Sequence, residues 1–399
     1  MQSHFSESLL FYWTGIVAIT FQAWLTFMSH ATIRTLGYEF FKVTHFASVI
    51  VFMITFFWHC DYTLTSWHYF VATAAVYVPC FVYPWLRTIF EYRWTQKAHI
   101  YVEDNGFTRI TIPAKFDWTP GQHCFLRFTS FGILHAVSSH PFTICSSPSG
   151  NKNGQSELVF YIRHQGGFTR KLYQHALNHP GVSLSVLVDG PYGGVTPARL
   201  ESTDHHLLIA GGSGAGWCLP FIEHFIYSAG TSSDEGRTSN PVSLRVILAT
   251  RDTSSRIWFE RTVDQLLTRC STKNLSSHIQ VQVYLTGEAA EKAELPTTTV
   301  DPIDALESET TQHKIMHPEI GVATSVPGSE FEGRPQLSLM VREEVARAAE
   351  ARGSLGVYVC GPVTMQNDVR NAVAEENLNI IRSARSGGVY LHSEYFSWA

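Results

Sequence analysis

A glycine-rich loop has the composition of a site for nucleotide phosphates. GGSGAG, residues 211–216, follows the apolar run LLIA and precedes a helical pattern. Glycine permits a tight turn and lets backbone N–H groups approach a pyrophosphate at the start of a helix. This context predicts a dinucleotide site. Arg251 ends the run RVILATR, where a guanidinium would meet an NADP 2′-phosphate, although an ordinary surface arginine fits the same pattern.

A second segment, RHQGGFTRKL, predicts another phosphate site. Arg163 supplies positive charge, and Gly166 and Gly167 let backbone amides approach an anion. Thr169 can cap the helix that we predict to begin there. The positive end of that helix would suit the phosphates of FAD. A capped helix that follows a hairpin is the simpler alternative.

Two further segments could face the reacting ring of a flavin. In HPFTICSSP, which begins at His140, Phe142 could offer an aromatic surface and Thr143 a hydroxyl near the nitrogen that accepts hydride. A strand followed by a Ser/Pro turn would have the same sequence. Cys360 ends the apolar run VYVC before Gly-Pro, at the carboxyl edge of a predicted sheet, where ligands bind.

The sequence ends in EYFSWA, which contains the aromatic residues Phe396 and Trp398. Aromatic side chains at such a position normally pack into a core. They could also shield one face of a flavin until a nicotinamide ring displaces them. We predict that Thr143, Cys360 and Trp398 lie where hydride is transferred.

His45 and His59 lie 14 residues apart in one apolar stretch. This separation is close to four helical turns, so both side chains project from nearly one face, roughly 21 Å apart. Each could give one axial ligand to a haem, one near each membrane surface, if another helix offered a matching pair. The alternative is that His59 lies at the membrane interface and His45 bonds to a backbone carbonyl.

Three stretches near the N-terminus are apolar enough to cross a bilayer, which requires about 20 residues. We predict transmembrane helices over about residues 9–28, 40–58 and 62–86, the third of them kinked by Pro79 and Pro84. Basic residues lie between the first two spans and after the third, which predicts an external N-terminus and a cytosolic remainder. Buried core helices are the alternative, which three nearly uncharged stretches disfavour.

The rest of the sequence divides into two patterns. Residues 94–198 contain short β-rich runs broken by Gly and Pro, which predict an antiparallel β-barrel. Residues 199–399 alternate apolar strands with helices, which predicts an α/β dinucleotide-binding domain. A polar segment at about 286–337 is predicted to be a disordered insertion. Together with a membrane region over 1–93, these patterns predict a multi-domain protein.

Composition excludes other classes of protein. The formal net charge is -5 and no run of Lys and Arg forms a basic stripe, so nucleic acid is not an expected partner. Charged residues make up 16% of the chain, against about 25% in typical soluble proteins. The 7 cysteines are scattered without a CxxC pair, which argues against a zinc site or a disulfide framework.

The order of the motifs resembles one known family. HPFTICSSP, GGFT, DGPYG, GGSGAG, VYVCGP and the final FSW occur in the order of fungal ferric-chelate reductases, relatives of the NADPH oxidases. RTLGYEFFKVTH, followed by a second histidine, resembles the second haem-ligand helix of that family. The resemblance covers nearly the whole chain from about residue 10. It implies an FAD-binding barrel and a ferredoxin-reductase-like α/β domain.

The resemblance also implies roles for particular residues. The flavin motif matches His140, Pro141, Phe142 and Thr143, and the FAD phosphate segment matches Gly167, Phe168 and Thr169. The NADPH pocket matches Gly211, Gly212, Gly214, Cys360, Gly361 and Pro362. The haem ligands match His45 and His59.

We therefore expect a ferric-chelate reductase that moves electrons from cytosolic NADPH through FAD, and through haem b where it binds, to Fe(III) across the plasma membrane. A superoxide-producing oxidase is one alternative. The family usually has further upstream spans, including a helix with the partner histidines, which this sequence is expected to lack. A full-length reductase or a second copy would then supply the missing ligands. A truncated, non-catalytic subunit of a full-length reductase is the other alternative.

Overall fold

The computed structural model describes most of the chain: residues 2–36, 38–61, 63–92, 95–132, 135–136, 138–148, 156–232, 243–269, 278–287, 331–382 and 388–394. These residues belong to two compact units, Met1–Trp94 and Thr95–Ala399. Most of the predicted insertion, and both Phe396 and Trp398, lie outside the described residues.

The first unit is helical. Its helices are α1 (Gln2–Met28), α2 (Ala31–Leu36), α3 (Tyr38–Cys60) and α4 (Ser66–Phe90). Three stretches have the length and hydropathy to cross a membrane, namely Leu9–Met28, Phe40–Cys60 and Ser66–Phe90. Most apolar side chains of these helices are exposed, as is expected where lipid is the solvent. The three predicted spans are confirmed, and this is a membrane protein.

The third span begins later than the sequence pattern predicts. Thr63–Thr65 forms a 3-10 turn, and α4 starts at Ser66 rather than near residue 62. Thr65 has a left-handed backbone with φ of 59°, a conformation that interrupts a right-handed helix. Pro79 and Pro84 both lie inside α4.

The second unit begins with a six-stranded antiparallel sheet. The spatial order of its strands is β4-β3-β6-β1-β2-β5. The strands are β1 (Gln96–Val102), β2 (Phe107–Ala114), β3 (Gln122–Phe128), β4 (His140–Thr143), β5 (Ser156–Arg163) and β6 (Ser183–Gly193). Burial alternates along β5, as it does where one face of a strand packs on a core. The Cys145 N–H donates to the Val159 carbonyl at 2.7 Å, which links the two outer strands and confirms the predicted barrel.

One helix, α5 (Gly167–Asn178), packs on the barrel core. Its buried residues Phe168, Leu172 and Ala176 recur every four positions, so they form one stripe along the helix. The hydrophobic cluster of the barrel includes all three of them.

A six-stranded parallel sheet with helices on both faces follows. The spatial order of its strands is β10-β9-β8-β7-β11-β12. The strands are β7 (His205–Gly211), β8 (Ser243–Thr250), β9 (Ile279–Leu285), β10 (Phe331–Glu332), β11 (Leu355–Cys360) and β12 (Val389–Glu394). The helices are α6 (Pro197–Glu201), α7 (Ala215–Ser232), α8 (Thr253–Arg269), α9 (Leu337–Glu350) and α10 (Val363–Arg382). The predicted α/β domain is confirmed.

Strand composition follows from position in this sheet. Every residue of β11 is buried, because helices cover both faces of a central parallel strand. Helices α7 and α8 contribute to the hydrophobic cluster on one face, and α9 and α10 contribute to the cluster on the other face. Strand β10 pairs in parallel with β9, although it falls at the end of the segment predicted to be an insertion.

Barrel and parallel sheet meet along a contact that we call the seam. The Trp258 ring of α8 lies 4.8 Å from Tyr161 and 5.5 Å from Phe107, both from barrel strands. Such aromatic pairs each add about 0.5–1.5 kcal/mol to the burial of their area. Arg261 and Asp104 also pair across the seam, but both side chains are largely exposed, and such pairs contribute about 0–1 kcal/mol. Aromatic packing therefore stabilises the seam more than charge does.

Candidate functional site

The glycine loop lies at the carboxyl end of β7. Gly212–Gly214 form one 3-10 turn, after which α7 begins. Gly212 has a φ of 56°, a left-handed conformation that favours glycine. The loop joins a strand to a helix, so the N-terminal end of α7 points its unpaired N–H groups towards the loop.

The loop packs closely against the segment that follows β11. A Cβ on Gly214 would lie 2.8 Å from the Cys360 carbonyl oxygen. A Cβ on Gly211 would lie 2.8 Å from Pro362 Cδ, and one on Gly361 would lie 3.2 Å from Gly211 N. Only glycine permits such an approach of two backbones. The structure thus brings together all six residues that the resemblance assigns to the nucleotide pocket.

Arg163 approaches this same loop from the barrel. It is the last residue of β5, and its side chain is exposed. Its Nη1 lies 3.9 Å from the position that a Cβ on Gly212 would occupy. The two segments predicted to bind separate phosphates therefore contribute to one region.

The carboxyl end of β8 holds another predicted residue, Arg251. This residue is exposed and has no ion pair within the described part of the chain. The neighbouring Asp252 accepts hydrogen bonds from Ser255 N at 2.7 Å and Ser254 Oγ at 3.0 Å. Burial would raise the pKa of Asp252, but these bonds and the charge of Arg163 lower it below its ordinary value. Asp252 is therefore an anionic cap for the start of α8.

The flavin motif on β4 is divided between two faces of its strand. The His140 ring stacks on Phe168 at 4.4 Å, and Phe142 packs against the barrel core. Pro141 is exposed and Thr143 projects to the same side, because alternate residues of a strand share a face. Pro141 and Thr143 are thus the outward-facing members of the motif.

A row of side chains crosses the barrel beside Thr143. His123 of β3 is the register partner of Thr143 on one side and of Tyr192 on the other. The Tyr192 hydroxyl donates to Asp189 at 2.6 Å, and Arg127 Nη1 lies 3.8 Å from the same carboxylate. Sequence reasoning missed this row. The signal was the alternation in HCFLRF, which places His123 and Arg127 on one face of β3.

The first turn of α5 differs from the predicted cap. Gly166 occupies the N-cap and Gly167 is the first helical residue, with a φ of 52°. Thr169 Oγ1 donates to the Gly166 carbonyl at 3.0 Å and accepts from Gln165 N at 3.2 Å. Thr169 was therefore wrongly predicted as the cap, because the helix begins two residues before it. Its hydroxyl instead fixes the preceding turn.

Three buried thiols lie at the seam. Cys145 Sγ is 3.0 Å from the position that a Cβ on Gly216 would occupy. Burial raises the pKa of Cys145 to about 12 and, helped by a neighbouring thiol, also raises the pKa of Cys218. Burial likewise raises the pKa of Cys360, with smaller contributions from Cys218 and Glu394. Since a thiolate is the reactive form, Cys360 contributes shape to the site rather than a nucleophile.

Of the two histidines of α3, His59 contacts α1 and His45 lies near the residue that follows α1. His59 Nδ1 lies 3.0 Å from the Phe11 carbonyl oxygen, and its ring stacks on Phe11 at 4.2 Å. His45 Nδ1 lies 3.5 Å from Ser29 Oγ. The anticipated bond to a backbone carbonyl is therefore made by His59 instead of His45.

Haem requires two axial ligands for each iron in the predicted arrangement. The span Leu9–Met28 contains no histidine, so this part of α1 gives no partner to His45 or His59. A Cβ on Gly15 of α1 would also lie 3.4 Å from His59 Nε2, so the ring is packed against that helix. The described helices do not by themselves fit a pair of haems with two histidine ligands each.

The sequence matches two domain families over most of the second unit. A family described as FAD-binding domain matches residues 92–196, and one described as ferric reductase NAD binding domain matches residues 203–374. The chain belongs to the ferric reductase family. The barrel is accordingly its FAD-binding domain, and the parallel sheet with its helices is its domain for a nicotinamide nucleotide.

Three curated relatives from yeasts are similar to nearly the whole chain. Ferric reductase transmembrane component 6 of Saccharomyces cerevisiae is 27% identical over 94% of this chain and 48% of its own length. Ferric/cupric reductase transmembrane component 2 of the same organism is 28% identical over 98% of this chain and 51% of its own. Ferric/cupric reductase transmembrane component 1 of Candida albicans is 27% identical over 96% and 45%. The chain thus spans about half the length of these relatives.

Proposed function

We propose that this chain is an NADPH-dependent ferric-chelate reductase whose second unit carries out the first, cytosolic half of electron transfer. The main support is one observation. The glycine loop, the Cys360–Pro362 segment and the ends of barrel strands β4 and β5 converge where the two domains meet. A site for hydride transfer needs two dinucleotides held against each other, and proximity alone can lower the barrier by several kcal/mol.

Residues on the two sides of the seam would hold different nucleotides. Pro141, Thr143 and the start of α5 would hold FAD, and the glycine loop with Cys360 would hold NADPH. When bound, NADPH supplies a hydride, and FAD accepts it and releases electrons singly to Fe(III). The chain's own contribution is binding and orientation. Aromatic packing at Trp258 fixes the barrel against the sheet, and so limits relative movement of the two sites.

The preference for NADPH over NADH is proposed from the end of β8. In this position a free carboxylate would bind the ribose 2′-hydroxyl and favour NADH. The Asp252 carboxylate is instead bonded to Ser254 and Ser255, whereas Arg251 is exposed. A guanidinium pairs well with a phosphate, so Arg251 would bind the 2′-phosphate of NADPH.

Delivery of electrons across the membrane is a further part of the proposal. The basic residues that flank the helices support an orientation in which the nucleotide domains are cytosolic, and the plasma membrane is the proposed location. A haem relay at His45 and His59 would need partner histidines from another polypeptide, such as a full-length reductase or a second copy. Ferric chelates would be the final acceptors.

The test uses the full chain purified in detergent. We expect bound flavin, NADPH oxidation with ferricyanide as an artificial acceptor, and reduction of a ferric chelate that exceeds superoxide release. Arg251→Gln should raise the KM for NADPH about 10-fold or more and leave the KM for NADH unchanged. A purified chain that carries flavin but oxidises neither nucleotide with any acceptor would refute the proposal.

A further inference from the structure

Arg163 belongs to the barrel, but its guanidinium lies at the nucleotide domain. Its Nη1 is 3.9 Å from the position of a Cβ on Gly212, in the glycine loop after β7. In contrast, a Cβ on Gly166 or Gly167 would meet no atom within 4 Å. Of these three glycines, only Gly212 therefore has the Arg163 guanidinium within 4 Å of the position that a Cβ would occupy.

A second observation also places the Arg163 guanidinium near the domain that contains the parallel sheet. The charge of Arg163 reaches Asp252 at the start of α8, where it helps to offset the burial that would otherwise raise the pKa of that carboxyl. Asp252 and Gly212 follow adjacent parallel strands, β8 and β7. Both neighbours of the Arg163 guanidinium thus stand at the carboxyl edge of the parallel sheet.

An anion seated on the glycine loop would meet three favourable features at once. These are the left-handed Gly212 turn, the positive end of the 18-residue helix α7 and the Arg163 guanidinium. An arginine fork matches the oxygens of a phosphate better than any other side chain. The same loop is the proposed site of the nicotinamide nucleotide.

We propose that Arg163 reaches across the seam to bind the pyrophosphate of the nicotinamide dinucleotide, and that FAD does not depend on it. This inference rests on the proposed function, because it names a binding residue of that site. It reverses the expectation from the sequence, in which Arg163 serves the phosphates of FAD. It also implies that the nucleotide joins the two domains, since one anion contacts both the barrel arginine and the loop.

The first test compares substitutions at this arginine in the FAD-loaded full chain in detergent. NADP⁺ binding is measured by calorimetry, and bound FAD is measured by absorbance. Arg163→Gln should weaken NADP⁺ binding about 10- to 100-fold, as loss of a charge-assisted bond does, and leave FAD occupancy unchanged. Arg163→Lys should recover part of the affinity. Arg170→Gln, an exposed arginine of α5, serves as the matched control and should bind NADP⁺ normally.

The second readout is stability. NADP⁺ should raise the melting temperature of the wild-type chain and of Arg170→Gln, and should raise that of Arg163→Gln much less at the same concentration. Near-wild-type melting without nucleotide shows that the Arg163→Gln variant is folded.

Three outcomes would overturn the inference. Loss of FAD from the Arg163→Gln variant would show that Arg163 binds FAD instead. Normal NADP⁺ affinity in an active, FAD-loaded Arg163→Gln enzyme would show that Arg163 is needed for neither nucleotide. The proposed function would not be affected by that result. A folded wild-type chain that binds FAD but no NADP⁺ would overturn the proposed function and the inference together.

Discussion

Two glycines of the α/β domain, Gly214 and Gly388, differ in what surrounds them. A Cβ on Gly214 would lie 2.8 Å from the Cys360 carbonyl oxygen, a backbone atom that cannot rotate away. Gly388 precedes an outer strand of the same sheet, and a Cβ there would meet Asn377 Oδ1 at an ordinary 3.5 Å. The two positions therefore separate the effect of the close approach from the effect of any Gly→Ala change.

Gly214→Ala is expected to push the loop away from the Cys360–Pro362 segment. Overpacking of this kind costs about 1–3 kcal/mol, and the displaced loop should bind NADP⁺ at least about 10-fold more weakly. Gly388→Ala should change the unfolding free energy by less than about 0.5 kcal/mol. Melting curves and NADP⁺ titrations of both variants measure these effects. Equal behaviour of the two variants would contradict the close packing of loop and strand end.

A largely buried histidine, His206, makes the stability of the second unit depend on pH. Burial, helped by the charges of His224 and His205, lowers the pKa of His206 to about 4. The Thr203 backbone and the charge of Asp204 act in the opposite direction. The His206 ring stacks on Tyr358 at 5.9 Å, so it is part of the packing on one face of the sheet.

A histidine in the unfolded chain has a pKa near 6.5, whereas folded His206 has a pKa of about 4. Between these two pH values the unfolded chain therefore binds a proton that the folded chain does not. Stability should therefore be lost as the pH falls through this window, by up to roughly 3 kcal/mol. His206→Phe keeps a ring in place without a titrating group and should lessen the loss between pH 7 and pH 5. His99→Phe, on an exposed site, should retain the wild-type dependence. Melting temperatures at the two pH values decide between these outcomes.

Whole elements follow from hydropathy and spacing more readily than the contacts between them. The three membrane helices were predictable because long uncharged stretches have few other structures. The parallel sheet was predictable because β11 is buried throughout and β8 is buried after its first residue, which gives nearly continuous apolar runs. Two-residue β10 has no such pattern, and its pairing with β9 depends on tertiary structure alone.

Side-chain direction at the candidate site was harder to predict for a related reason. A period of two assigns alternate residues of β4 to opposite faces, but it does not say which face meets the core. Phe142 packs on the barrel core, although the sequence made it a candidate surface for a flavin. Likewise, the sequence shows that Arg163 is followed closely by two glycines, but only the fold brings its guanidinium near Gly212.

At the scale of the whole molecule, the two units differ in the candidate cofactor-binding residues that they contain. The second unit has matches to both nucleotide domains, so it has the parts needed to receive electrons from a nicotinamide nucleotide. In the first unit, α3 offers His45 and His59, but the span Leu9–Met28 of α1 offers no histidine to pair with them. Under the proposed function, the described residues therefore include candidates for both nucleotide sites, but this span offers α3 no partner histidine for haem.

This inequality predicts a particular absorption spectrum for the polypeptide purified by itself. We expect flavin bands that bleach with NADPH and no Soret band, because each candidate haem would have one histidine instead of two. Co-expression with a full-length relative should add a Soret band to the co-purified complex. His45→Ala and His59→Ala should then diminish that band, whereas His99→Ala, outside the helical unit, should leave it intact. A strong Soret band from the isolated wild-type chain, lost on replacement of either α3 histidine, would show that one polypeptide suffices and that its helices rearrange around haem.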